Sequence, residues 1–184
     1  DRAKQRMESV MGVVIGERIL DVGCRDGTFA IEYARRHPEA RVEGFDTDAS
    51  AIQWANDHAP ENAVFYVDDL LNPTKPWSGY DTVVCMETLE HLPTARVDEA
   101  KETLFRFLRP GGRLIVTVPA NSHISDPDHK TTFYRENLHG QRGIVWIKDM
   151  PHIWLGFHAT AEHSQSSKER PGALPESVAP NPNS

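Results

Sequence analysis

The chain has 184 residues, with 27 Asp plus Glu against 20 Lys plus Arg and a net charge of −7. That length suits one domain with a real hydrophobic core, and no apolar run approaches the roughly 20 residues that span a bilayer, which excludes a transmembrane protein. The acidic balance disfavours non-specific nucleic-acid binding, which works by neutralising phosphates, and Cys24 and Cys85 are too few for a disulfide framework or a zinc ribbon. A reducing, cytoplasmic setting is expected. The chain begins at Asp1 with neither an initiator Met nor a signal-peptide pattern, as expected of a trimmed chain.

Met7, Val10 and Met11 lie on one side of a short N-terminal helix expected to cover a sheet. Ile19, Leu20 and Val22 form a short apolar run ending at Gly23. Phe29, Ala30, Tyr33 and Ala34 recur at helical spacing until His37-Pro38 stops them. Arg41 to Phe45 reads as a second strand. Ala51, Ile52 and Ala55 mark a helix over 49–58, and Ala63 to Val67 a third strand. Asn72-Pro73, Pro76 and Ser78-Gly79 mark an irregular connection that includes Trp77. Within Tyr80 to Met86, the unbroken run Val83-Val84-Cys85-Met86 is that of a strand buried on both faces.

Val97, Ala100, Leu104, Phe107 and Leu108 share one helical face. Pro110-Gly111-Gly112 ends that helix, and Arg113 to Val118 reads as a fifth strand. The alternation predicts an α/β fold: a mostly parallel sheet with right-handed crossovers and helices on both faces. After Pro119 the rhythm changes. A polar loop to about Thr131, a short helix around Phe133 to Leu138, and two antiparallel strands, Ile144 to Ile147 and Ile153 to Phe157, are expected to close one side of the sheet. Residues 160–184 hold five Ser, four Pro and only Leu174 and Val178 as large apolar residues. Such a segment cannot offset its ordering entropy by burial, so it is read as a disordered tail behind a 1–159 domain.

The strongest local signal is Leu20-Asp21-Val22-Gly23-Cys24-Arg25-Asp26-Gly27-Thr28, which follows a strand and opens a helix. Glycines there allow a tight turn and close approach of a ligand; the same glycines also suit a turn with no ligand at all. Downstream, the second strand ends at Asp46, where a carboxylate can accept both hydrogen bonds of a ribose diol. A dinucleotide fingerprint would need glycines where Arg25 and Thr28 stand.

Taken in order, Asp21-Val22-Gly23-Cys24-x-x-Gly27, Asp46, Val67-Asp68-Asp69, Tyr80-Asp81-Thr82-Val83, Glu87-Thr88-Leu89-Glu90-His91-Leu92 and Leu108-Arg109-Pro110-Gly111-Gly112 resemble the class I S-adenosylmethionine-dependent methyltransferases. The likeness covers roughly residues 10 to 158. It implies a Rossmann-like, seven-stranded sheet with an antiparallel last strand, and a cofactor at the carboxyl ends of the first three strands. Asp21 would lie near the cofactor's ammonium group, with Gly23, Cys24 and Gly27 forming the loop. Asp46, beside Thr47, would take the ribose hydroxyls. Asp69 or Asp68 would accept from the adenine, and Met86 and Glu87 would sit beside the transferring methyl. One departure is Arg25, which replaces the middle glycine of the family loop; it would crowd the cofactor's methionine end or reach its carboxylate.

A second constellation is Glu87-x-x-Glu90-His91 with the later Asp128-His129-Lys130. Glu87, Glu90, His91 and His129 could hold Mg²⁺, Mn²⁺ or Co²⁺ and leave positions for substrate oxygens. The pattern resembles ubiquinone-biosynthesis O-methyltransferases and, through Asp128-His129-Lys130 and Phe133, small-RNA 3′-terminal 2′-O-methyltransferases. The metal-free reading stands beside it: His91 as general base and Glu90 as a cap or ion-pair partner. His123, His139, His152, His158 and His163 are read as solvated or packed, and Trp146 and Trp154 as sheet packing.

The expected activity is methyl transfer from S-adenosylmethionine to a hydroxyl of a small-molecule acceptor. Two alternatives stay open: RNA 2′-O-methylation at a divalent-metal site, which the net charge disfavours, and cofactor binding without catalysis. The oligomeric state has no signature in the sequence.

Overall fold

A computed structural model describes residues 2–119, 127–133, 145–150 and 153–158. The chain runs α1 (Arg2–Met11), β1 (Arg18–Val22), α2 (Thr28–Arg36), β2 (Arg41–Asp46), α3 (Ala49–His58), β3 (Ala63–Val67) and β4 (Tyr80–Met86). Two 3-10 turns follow, Leu89–His91 and Thr94–Arg96, then α4 (Val97–Phe107), β5 (Leu108–Pro119), β6 (Val145–Met150) and β7 (Ile153–His158). The expected helix at Phe133 to Leu138, the 160–184 tail, His123, His139, His152 and His163 lie wholly or largely outside the described residues.

The strands make one sheet in the order β3-β2-β1-β4-β5-β7-β6. β1 to β5 are parallel neighbours, while β7 pairs antiparallel with both β5 and β6. The strand order reverses between β1 and β4, and open α/β sheets bind ligands at the carboxyl ends of strands at such a point.

Two-residue alternation assigns side chains to opposite faces. Leu20, Val22, Val83 and Cys85 pack with Leu104 and Phe107 of α4 and with Trp77. Ile19 and Val84 pack with Val10 of α1, Phe29 and Ala30 of α2 and Ile52 of α3. The β4 run is therefore apolar throughout because it has a helical layer on each side. Trp77, in the irregular connection, is a core residue stacked on Phe45 with centroids 5.0 Å apart.

β5 starts earlier than the sequence pattern predicts. Leu108 pairs with Tyr80, the chain bulges, and regular pairing resumes at Thr82 with Arg113. Gly111 has φ 75°, and a Cβ on Gly112 would lie 2.8 Å from the Tyr80 carbonyl oxygen, so the two glycines let the strand bulge without leaving the sheet. The Arg109–Asp81 ion pair fastens the bulge to β4.

Candidate functional site

One cavity of about 1290 Å³ opens at the carboxyl ends of β1, β2, β3 and β4, under α1. Every residue expected to contact the cofactor lines it except Gly27. Gly27 has a different task. It caps α2 at φ 71°, and a Cβ there would meet the Phe65 ring at 2.8 Å. Gly23, at φ 69°, is on the wall, and its missing Cβ makes room for the Thr88 side chain. Both glycines are thus required by the turn and its packing.

The loop between them is tied to β2. The Gly23 and Cys24 amides donate to the Phe45 carbonyl at 2.9 and 3.1 Å. Arg25 occupies the left-handed region at φ 50°, where a glycine would sit without strain. Its amide donates to Asp46 Oδ2 at 2.9 Å, and the Asp48 amide donates to Asp46 Oδ1 at 2.9 Å. Asp46 is thereby aimed at the cavity with lone pairs to spare. Cys24 is buried and its thiol is pushed up by burial, so it is an inert packer.

Asp21 is 2% exposed. Burial first, then the charges of Asp46 and Asp26, push its carboxyl up to about 7. A carboxylate held in such a place is matched by a cationic ligand. The whole wall has that character, with nine carboxylates against three cations.

Asp68 and Asp69 separate clearly. The Asp68 carboxylate accepts from the amides of Asp69, Thr74 and Lys75, from Thr74 Oγ1, and from Trp77 Nε1 at 2.7 Å. Burial alone would raise its pKa, but these donors together hold it below the usual carboxylate value. Asp68 is the hub of the 69–77 connection. Among the described residues Asp69 accepts only from the Leu71 amide and the Asn72 side chain, which leaves it the better placed acceptor for a ligand.

At the other end of the cavity, the 3-10 turn Leu89–His91 follows β4 and presents Glu90 and His91. Potential ligand atoms of Glu90, His91 and His129 all lie within 4.8 Å of one another. Glu90 is 1% exposed, and its Oε2 has no hydrogen-bond partner among the described residues. Burial and the neighbouring Glu87 push its carboxyl up to about 8. Among the described residues it neither caps a helix nor forms an ion pair. The His91 and His129 rings meet edge to face at 4.9 Å. His91 Nδ1 lies 3.3 Å from the Asp128 carbonyl oxygen, which can only accept, so the neutral ring carries its proton on Nδ1 and a lone pair on Nε2.

Glu87 is not in that group. It sits before the turn at φ 50°, and its Oε1 accepts from Thr117 Oγ1 at 2.9 Å while its Oε2 pairs with Arg6 Nη1 at 3.0 Å. Glu87 and Glu90 are three residues apart and would share a face only if a helical turn started at Glu87; the turn starts at Leu89. Arg6 is absent from the sequence-based site altogether, although it stands one helical turn before the buried Val10. A cation on the buried face of α1 was the available signal.

The donor set of Glu90, His91 and His129, one carboxylate and two imidazoles, suits a borderline divalent ion, and the orphaned Glu90 Oε2 fits a cation.

Comparison with known proteins adds three findings. Residues 7–170 match the model of a family described as "Methyltransferase domain". A ubiquinone biosynthesis O-methyltransferase of Alkalilimnicola ehrlichii is 38% identical over 111 residues, covering 57% of this chain and 42% of that protein. The chain spans less than half the length of the curated relatives it matches. Among solved structures, the methyltransferase domain of bacterial CtHen1 superposes with a TM-score of 0.70 at 20% identity, covering 86% of this chain and all of that one. Magnesium protoporphyrin IX methyltransferase from Synechocystis PCC 6803, solved with bound SAH, gives 0.68 at 20% identity over 86% of this chain and 83% of that one. At those identities the structural likeness speaks to the fold.

Proposed function

The chain belongs to the methyltransferase-domain family, the class I S-adenosylmethionine-dependent methyltransferases, and from that premise we propose that it methylates a hydroxyl of a small-molecule acceptor with the help of a divalent ion. The observation that carries this reading is the continuity of the cavity: the Asp21, Gly23 and Asp46 wall and the Glu90, His91 and His129 group face one space. Its volume of about 1290 Å³ exceeds the roughly 300–1,000 Å³ of a site for one drug-sized ligand, so a cofactor and an acceptor fit together.

S-adenosylmethionine supplies an electrophilic methyl on a sulfonium, and transfer is an in-line displacement that needs alignment above all. Asp46 would hold the ribose hydroxyls and Asp69 the adenine edge. Asp21 would face the ammonium group, and Arg6, a cation on the same wall, suits the carboxylate. Glu87, pinned by Thr117, sets the direction of the Arg6 guanidinium. Glu90, His91 and His129 would hold Mn²⁺, Co²⁺ or Mg²⁺, whose chemistry there is to lower the pKa of an acceptor hydroxyl. The nine carboxylates of the wall oppose a polyanionic acceptor, which favours a small molecule over RNA. The O-methyltransferase names of several curated relatives support oxygen as the acceptor atom.

A screen with methyl-labelled cofactor tests this. Pools of small hydroxylated compounds, small amines and short RNAs are offered to the chain with and without chelator. Label is expected in the hydroxylated pool and is expected to disappear on chelation. Label confined to amines or RNA contradicts the acceptor class.

A further inference from the structure

We propose that Thr131 is a positioning residue that holds His129 against Glu90 and His91; the inference rests on the metal reading above. His129 lies 38 residues after His91 in the sequence, so nothing local brings the two rings together. The segment 127–133 is instead tied to the backbone that carries the other two ligands. The Lys130 and Thr131 amides both donate to the Glu90 carbonyl, at 2.8 and 3.0 Å. Thr131 Oγ1 donates to the Leu92 carbonyl at 2.7 Å. Since that carbonyl can only accept, the single Thr131 hydroxyl proton is committed to it, and the 3.0 Å contact with Thr94 Oγ1 runs from Thr94 to Thr131.

Thr131 is buried, and so is Phe133, which packs into the β4–α4 core. Thr131 is therefore bonded to Glu90 inside the Leu89–His91 turn and to Leu92 and Thr94 just after it, while standing two residues from His129. A ligand delivered from a distant segment is useful only if its backbone cannot drift. Groups that orient a metal ligand typically change metal affinity about 10- to 100-fold when removed. The Thr131 hydroxyl supplies two of the bonds that fix this segment, and valine, its isostere, supplies neither.

The test is Co²⁺ binding to the full chain, followed by calorimetry and by the visible absorption of the bound ion, with S-adenosylmethionine affinity and melting temperature measured alongside. Thr131→Val is expected to weaken Co²⁺ about tenfold, Thr131→Ser to restore it, and Thr94→Ala to weaken it by a smaller factor. Cofactor affinity is expected to stay unchanged in all three, because Asp46 is held by the Arg25 and Asp48 amides and Asp21 by its place in β1, none of which Thr131 or Thr94 touches. Thr131→Val binding Co²⁺ as tightly as the wild type overturns the proposal, as does Thr131→Ser binding no better than Thr131→Val. If Thr131→Val does not fold, the solvent-side Thr94→Ala decides, and unchanged affinity there overturns it. A wild-type chain that binds no Co²⁺ overturns the metal reading itself and the clamp with it, an outcome distinct from equal binding by wild type and variant.

Discussion

Arg6 Nη1 and Glu87 Oε2 meet at 3.0 Å and join the N-terminal helix to the end of β4. Both side chains are about a quarter exposed, and both line the cavity. The pair is more than a surface contact, because Glu87 is held from its other side by Thr117 and occupies the left-handed backbone region. A non-glycine residue kept at positive φ beside a ligand cavity marks a place where the surroundings fix the backbone for function. Here they fix a guanidinium against one wall of the cavity.

Arg6→Ala should therefore weaken S-adenosylmethionine binding about tenfold, the cost of one charge-assisted hydrogen bond of roughly 1.5 kcal/mol. Arg6→Lys should fall between, since an ammonium lacks the forked geometry. Calorimetric titration of the cofactor reads this, and an Arg6→Ala chain with wild-type affinity removes Arg6 from the site.

Asp46→Ala should weaken the cofactor by about 10- to 100-fold, because two ribose hydroxyls lose an acceptor worth roughly 1.5–3 kcal/mol. The loop amides of Arg25 and Asp48 lose their partner as well. Asp46→Asn, which keeps one acceptor oxygen, should lose less. Equal affinity for Asp46→Ala and wild type would sink the assignment.

The neighbours Asp68 and Asp69 should behave as opposites. Asp68→Ala strips the acceptor from five donors in the 69–77 connection and should cost about 3 kcal/mol or more of stability. Asp69→Ala should leave the melting temperature nearly unchanged and weaken the cofactor. A denaturant titration of each, paired with a cofactor titration, distinguishes them, and an unaltered midpoint for Asp68→Ala contradicts the structural role.

Asp21 should make stability and cofactor affinity move in opposite directions with pH. Its carboxyl is pushed up to about 7 from an ordinary 3.8, so between roughly pH 4 and 7 the folded chain binds more protons than the unfolded one. Stability from this group is then greatest below pH 4 and falls as pH rises through about 7. Cofactor affinity should rise over the same interval, as the carboxylate becomes available to the cofactor's ammonium group. Asp21→Asn should flatten both trends and raise the melting temperature at pH 8. Parallel pH trends in the two quantities contradict the argument.

Much of this was legible in the residues because it depends on short-range rules. The Asp21-to-Gly27 loop between an apolar run and a helix, and Asp46 at the next strand end, follow from period and turn chemistry. The doubly buried β4 was legible for the same reason. What was not legible depends on contacts between distant residues. Asp68 and Asp69 are indistinguishable in sequence; only the fold of 69–77 gives Asp68 its donors. Glu87 sits three before Glu90, yet a backbone reversal turns it towards α1. Arg6 and Thr131 carry no motif, and their partners lie 81 and 37 to 41 residues away.

The shared-cavity account is tested most directly by single-turnover methyl transfer to a hydroxylated acceptor, with cofactor prebound, comparing wild type with His91→Ala. His91 belongs to the acceptor end, so the account predicts an unchanged cofactor dissociation constant and at least about a 100-fold loss of transfer in the variant. Chelator should reduce the wild type to a similar rate. A His91→Ala chain that transfers the methyl at the wild-type rate with cofactor bound would contradict it.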